Sequence, residues 1–144
     1  MGIAFRRARL EDAAQLVGLV EELGYPSTTS ALRARLERLL TEPDQAVFVA
    51  DAGGALEGWI HVQESLSLAA PPAGLVTGLV VARAARGAGI GHGLMEAAES
   101  WARARGLGSM RLRVRLARTG AHAFYRRLGY SLAKKQLQFR KSLA

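Results

Sequence analysis

The stretch from Val76 to Gly106, VTGLVVARAARGAGIGHGLMEAAESWARARG, limits what this chain can fold into more than any other part of it. Leu75 to Ala82 is a short apolar run rich in β-branched residues and predicts a buried strand. From Gly91 to Arg105, Leu94, Ala98, Trp101 and Ala102 recur at helical spacing opposite Glu96, Glu99 and Arg103, which predicts an amphipathic helix. Between them lies Arg86-Gly87-Ala88-Gly89-Ile90-Gly91. A strand feeding a glycine-rich turn and then a helix leaves unpaired N–H groups at the helix start. With the helix dipole, that row of donors suits an anion such as a phosphate or diphosphate.

Three kinds of phosphate turn compete for this stretch. A Walker-type loop ends in Gly-Lys-Ser or Gly-Lys-Thr, whereas this turn ends Gly91-His92-Gly93. A dinucleotide fingerprint, G-x-G-x-x-G, fails from Gly87, where His92 takes the last slot, and from Gly89, where Leu94 does. The acidic ribose ligand expected about 20 residues further on is also missing, because Arg111 and its neighbours are basic. The third form, Arg/Gln-x-x-Gly-x-Gly, is met by Arg86, Gly89 and Gly91. The bland alternative is a corner where glycine merely supplies positive φ, but glycine at 87, 89, 91 and 93 is excessive for that.

With Leu79-Val80-Val81 before it and Leu94 after it, this form resembles the acetyl-CoA-binding motif of the GCN5-related N-acetyltransferase (GNAT) superfamily. The remaining elements extend the resemblance. Ile3 to Arg9 alternates as a strand; a helix follows with Leu16, Leu19, Val20 and Leu23 on one face, ending at Gly24. Glu11 and Asp12 in its first turn are expected to do no more than complement the dipole. Thr29 or Ser30 is expected to cap a second helix carrying Leu32, Leu36, Leu39 and Leu40. Gln45–Asp51 and Glu57–Ser65 flank Gly53-Gly54 as an antiparallel hairpin. After the long helix come a strand over Met110–Leu116, a short helix over Gly120–Leu128 and a closing strand over Tyr130–Lys141, either one strand or two with a turn near Lys134-Lys135. The resulting order, β-α-α-β-β-β-α-β-α-β, is an α/β fold with a mixed sheet and helices on both faces. It is similar to the GNAT order over nearly the whole chain.

Ala121 to Tyr130, AHAFYRRLGY, adds a second match, to the family segment A-x-x-F-Y-x-x-x-G-F/Y. That resemblance implies that Tyr125 is the general acid protonating the departing CoA thiolate; a phenol, with a reference pKa of about 10, suits the task. It also implies acetyl-CoA as co-substrate. Its diphosphate would lie on Arg86, Gly87, Ala88, Gly89, Ile90, Gly91 and His92, and its thioester carbonyl would face N–H groups on Leu79, Val80 and Val81. Arg118 and His122 are further candidates for the cofactor. The base is the gap in the pattern. Relatives carry an acidic residue just before the Leu-Val-Val element, where this chain has Thr77 and Gly78. Glu64 or His61 on the facing strand is the substitute, although His61 alternates in phase with Trp59 and equally reads as a packing residue.

The length of 144 residues fits one domain spanning 1–144. No apolar run is long enough to cross a bilayer, and Met1-Gly2-Ile3 leads directly into a strand pattern, so neither signal peptide nor membrane partner is expected. The absence of cysteine removes thiolate metal ligands and an acetyl-cysteine intermediate, and suits the cytoplasm. No metal is expected. A net charge of +8 favours anionic partners, and with aromatics at 6% it points to a phosphate-rich cofactor rather than to nucleic acid. The expected activity is acetyl transfer to a primary amine, most simply a small molecule, by direct attack in a ternary complex. A catalytically silent acyl-CoA-binding or regulatory module is the alternative. The loop Leu23–Ser30, with Tyr25 its one aromatic, would decide the acceptor. The terminal segment either closes its own sheet or pairs across a homodimer, and the pattern does not choose.

Overall fold

The computed structural model describes residues 2–114 and 119–144 and divides into two compact units, Met1–Arg113 and Val114–Ala144. The first holds a five-stranded sheet in the order β1-β2-β3-β4-β5. Its strands are β1 (Ala4–Arg7), β2 (Gln45–Ala52), β3 (Ala55–Ser65), β4 (Ala73–Val81) and β5 (Met110–Leu112). The first four run as an antiparallel meander, and β5 joins β4 in parallel. Parallel neighbours need a crossover, and α3 (Ile90–Ala104) supplies it.

Two apolar layers sandwich the sheet. On one side α1 (Ala13–Glu22) and α2 (Thr29–Thr41) lay Leu16, Leu19, Leu32 and Leu36 onto Val47, Val49 and Val80. On the other side α3 buries Ile90, Leu94, Met95, Ala98 and Ala102, a stripe at helical spacing. Two glycines set how closely α3 approaches: a Cβ on Gly58 would stand 3.0 Å from Leu94, and one on Gly74 3.2 Å from Ala102. At its start, Gly93 leaves the room that the Phe5 ring of β1 occupies.

The predicted elements are present to within a few residues up to β5. The second helix is capped one residue earlier than expected, by Thr28, whose Oγ1 accepts the Ala31 amide at 3.1 Å. The β5 ladder covers Met110–Leu112 alone, and the rest of the strand expected to Leu116 runs into Arg115–Arg118, which lie outside the described residues. The second unit contains α4 (Thr119–Arg127), ended by Gly129 in the left-handed region at φ 92°.

The closing strand expected over Tyr130–Lys141 is not formed: among the described residues, 130–144 carry no regular structure. A strand exists through the ladder it joins, and periodicity says nothing of a partner. Here Leu132, Leu137 and Phe139 stand exposed.

Asp12 does more than complement a dipole. It is buried, and both its oxygens accept from the Arg6 guanidinium at 2.9 Å, with the Arg9 amide adding a bond at 2.7 Å. Arg6 also donates from Nε to Asp51 at 2.9 Å, which ties β1, β2 and the start of α1 together. Burial pushes the Asp12 carboxyl up, and the Arg6 and Arg9 donors outweigh it, holding Asp12 below the usual carboxylate range. Hydrogen bonding to Asp12 raises the Arg6 guanidinium further still.

Candidate functional site

The phosphate-type turn has the predicted geometry. Gly87 and Gly89 adopt φ values of 88° and 79°, in the left-handed region where glycine carries no Cβ penalty. Gly89 is the N-cap of α3, and a Cβ at either position would meet nothing within 4 Å. The backbone here is open to a ligand rather than packed. Among the described residues, the amides of Gly87 through His92 donate to no backbone carbonyl or side chain; Gly93 is the first to bond, to Gly89 O at 3.1 Å. Six consecutive N–H groups at the head of a fifteen-residue helix are thus free to converge on an anion. Arg86 is exposed beside them. The His92 ring turns back to Glu96 at 2.8 Å, which leaves its amide as its contribution to the turn. Glu22 of α1 anchors the approach by accepting the Arg83 amide at 3.1 Å.

The strand that leads into the turn presents a second set of donors. His61 pairs with Gly78 but Val62 with Val76, so Thr77 is an extra residue in β4, a β-bulge. Before the bulge, the Gly74 amide faces β5, donating to Ser109 O at 2.9 Å. After it, the Ala82 amide donates to Glu57 O at 2.8 Å, on the β3 side. Antiparallel pairs alternate between bonded and unbonded. Val80 opposite Trp59 and Gly78 opposite His61 are therefore the bonded pairs, and the Leu79 and Val81 amides point to the other edge. Among the described residues no ladder covers that edge beyond Val76 opposite Leu112. Of the three residues expected to polarise a carbonyl, Leu79 and Val81 offer amides. Val80 offers its side chain to the α1/α2 core instead.

The two candidate bases lie on different faces of β3. Glu64 sits near the end of α3, where its carboxylate is 3.6 Å from Arg105. His61 is half-buried on the α1/α2 side, with Nε2 2.6 Å from Gln45 Oε1. Burial pushes its imidazole down from the ordinary value, so it is neutral at pH 7. With Gln45 Oε1 as acceptor, the ring proton resides on Nε2 and Nδ1 keeps its lone pair.

Trp59 was legible as an aromatic but not as a site residue. Its indole lies against Gly78: a Cβ there would be 2.5 Å from Cη2 and 2.7 Å from Cζ3. The space that a side chain would need at the gap in the family pattern is taken by this ring. The pairing spans two strands, so no local spacing could have revealed it.

In the second unit, α4 carries His122 and Tyr125. The Tyr125 ring packs edge-on against Phe124 at 5.1 Å and Tyr130 at 6.1 Å, while the Tyr130 amide returns to Tyr125 O at 3.0 Å. Arg118 lies outside the described residues. Among the described residues no group of three or more His, Asp or Glu side chains is placed to hold a metal ion, and no helix is long and apolar enough to cross a membrane.

The sequence pattern of the acetyltransferase (GNAT) family matches residues 11–130. Among solved structures, a candidate acetyltransferase from Agrobacterium tumefaciens str. C58 is similar at 26% identity and a TM-score of 0.86, over 96% of this chain and all of that one (100%). An aminoglycoside N-acetyltransferase in complex with CoA aligns at 20% identity and a TM-score of 0.87, over 96% and 94% of the two chains. A glucosamine-6-phosphate N-acetyltransferase from Arabidopsis thaliana aligns at 18% identity and a TM-score of 0.83 over 100% of both. At these identities the last two speak for the fold. No curated protein matches the sequence.

Proposed function

The chain belongs to the acetyltransferase (GNAT) family of acetyl-CoA-dependent N-acetyltransferases, and from that premise we propose that it acetylates the primary amine of a small molecule by direct attack in a ternary complex. One observation carries the reading: the unbonded amides of residues 87–92 and the open β4 edge at Leu79 and Val81 lie on one continuous strand-turn-helix. The first suits a diphosphate and the second a polarised carbonyl, the two ends of CoA chemistry. A side-chain-free turn with open space at Gly87 and Gly89 fits a bulky phosphate group held against backbone.

Acetyl-CoA supplies an acetyl group activated as a thioester. Amides from Gly87 to His92 hold the diphosphate, Arg86 adds charge, and Arg118 and His122 are proposed as further contacts. The Leu79 or the Val81 amide donates to the thioester carbonyl oxygen, since amides two residues apart on a strand stand about 6.6 Å from each other and cannot share one oxygen; a fixed donor of this kind supplies roughly 2.7–4 kcal/mol elsewhere. His61 Nδ1 takes the proton that the amine loses as its nitrogen bonds to the carbonyl carbon. The carbon–sulfur bond breaks, and Tyr125 returns a proton to sulfur, so that the products are an amide and the CoA thiol. A chain without cysteine has no thiolate to carry the acetyl group between two half-reactions. Initial-rate plots with intersecting lines are the expected result, and parallel lines would sink the ternary complex.

The silent-module alternative draws on Gly78, where no basic or acidic group is present and the Trp59 ring fills the space. Thiol release from acetyl-CoA with an amine panel separates the two readings. A homodimer is proposed through the exposed apolar tail, Leu132, Leu137, Phe139 and Leu143, and light scattering on the purified chain tests it.

A further inference from the structure

On the α1/α2 side of the sheet lies a cavity of about 430 Å³. Val47, Trp59 and His61 line it from the strands, Leu16 and Leu36 from the helices, and Tyr25 and Arg35 stand exposed at its rim. No Asp or Glu is among its lining residues; the charged side chain there is Arg35, with His61 held neutral by burial. Trp59 Nε1 is buried and finds no acceptor among the described residues. The cavity therefore offers apolar walls, two aromatic side chains and a cationic rim. An apolar cavity of about 150 Å³ takes one benzene, so this one has room for a ring and an amine-bearing arm.

We infer that this cavity seats the acceptor of the acetyl-transfer reaction, and that the acceptor is a monoamine on an apolar, ring-bearing body rather than a polycation. The inference rests on the function proposed above and deepens it. His61 is common to the cavity lining and to the strand pair opposite Gly78, which brings a bound amine to the strand whose next residues, Leu79 and Val81, offer their amides. A second ammonium group would enter a space with no carboxylate to pair it and with the Arg35 guanidinium at its edge. An apolar ring has Trp59 and Tyr25 to lie against.

The test is thiol release by the full chain with acetyl-CoA and 2-phenylethylamine, spermidine or kanamycin as acceptor; the protein contributes no thiol of its own. We expect kcat/KM for 2-phenylethylamine to exceed that for either polycation by at least tenfold. Arg35→Glu places a carboxylate at the exposed rim and should narrow that ratio by raising the spermidine rate. Equal or better use of spermidine or kanamycin by the unaltered protein would overturn the inference and leave the proposed function standing. An unchanged ratio in the Arg35→Glu protein would overturn the charge argument. No thiol release from any amine, with CoA binding intact, would overturn the proposed function and this inference with it.

Discussion

Replacing Gly89 and Gly18 with alanine, one at a time, isolates what the turn asks of its backbone. Neither position has an atom within 4 Å of the added Cβ, so packing does not decide the outcome. Gly18 lies inside α1, where alanine is favoured over glycine by about 0.5–1 kcal/mol. Gly89 holds φ at 79°, where an L-residue costs about 1–2 kcal/mol. The two variants should therefore move in opposite directions. At about 2–4 °C per kcal/mol for a chain of this size, Gly89→Ala lowers Tm by about 2–8 °C and Gly18→Ala raises it by about 1–4 °C. Any part of that strain that the free turn sheds by leaving its binding conformation reappears as lost CoA affinity, a fall of up to about 5–30-fold that shrinks the Tm loss in step, while Gly18→Ala leaves affinity unchanged. Far-UV circular dichroism melts and calorimetry with CoA read both quantities on the same samples. Two variants that shift Tm in the same direction, or a Gly89→Ala protein that keeps both the Tm and the CoA affinity of the original, would refute the reasoning.

Asp12→Ala leaves Arg6 with Asp51 as its remaining carboxylate; since Arg6 is partly solvated, the loss is about 2–3 kcal/mol, read as a lower urea midpoint. Because the folded-state pKa of Asp12 lies below 3.8, the unfolded chain takes up that proton first as pH falls. The stability Asp12 contributes is present above about pH 3.8 and lost below it, and Asp12→Asn should flatten that part of a stability–pH curve. His61 has a folded pKa below 6.5, so the acidic limb of kcat/KM should lie below pH 6.5 and disappear in His61→Asn. Tyr125→Phe should lower kcat by about 100-fold while CoA still binds, as expected when a proton donor is removed. Gly78→Ala should displace the Trp59 ring at a cost of about 1–3 kcal/mol, visible as a shift in tryptophan emission with a lower Tm.

The parts of this protein that were legible in the sequence are those whose cause is local. The turn at 86–91 announced itself because left-handed backbone and free helix-start amides depend on a few adjacent residues. The apolar stripes of α1, α2 and α3 did so because burial repeats with the helical period. What stayed hidden depends on partners far along the chain. Asp12 reads locally as a first-turn acid, yet Arg6 on β1 and the Arg9 amide close around it, and Gly78 reads as a missing base, yet the Trp59 ring from the next strand fills its place. The tail over Tyr130–Lys141 has a strand's composition without a ladder to join. The donor assignment on β4 also escaped spacing arguments, because it turns on one surplus residue in the pairing with β3.

That surplus residue makes β4 tolerant of change at one position. The Thr77 side chain is exposed, so serine or valine there should pass with little effect. Deleting the position would keep Val76 opposite Val62 and Gly78 opposite His61 and close the ladder into regular alternation, so the layers of Leu79 and Val80 and the aim of their amides would survive. What the deletion would remove is the local bend that a bulge puts into its strand, so a chain lacking Thr77 should fold and hold a straighter β4.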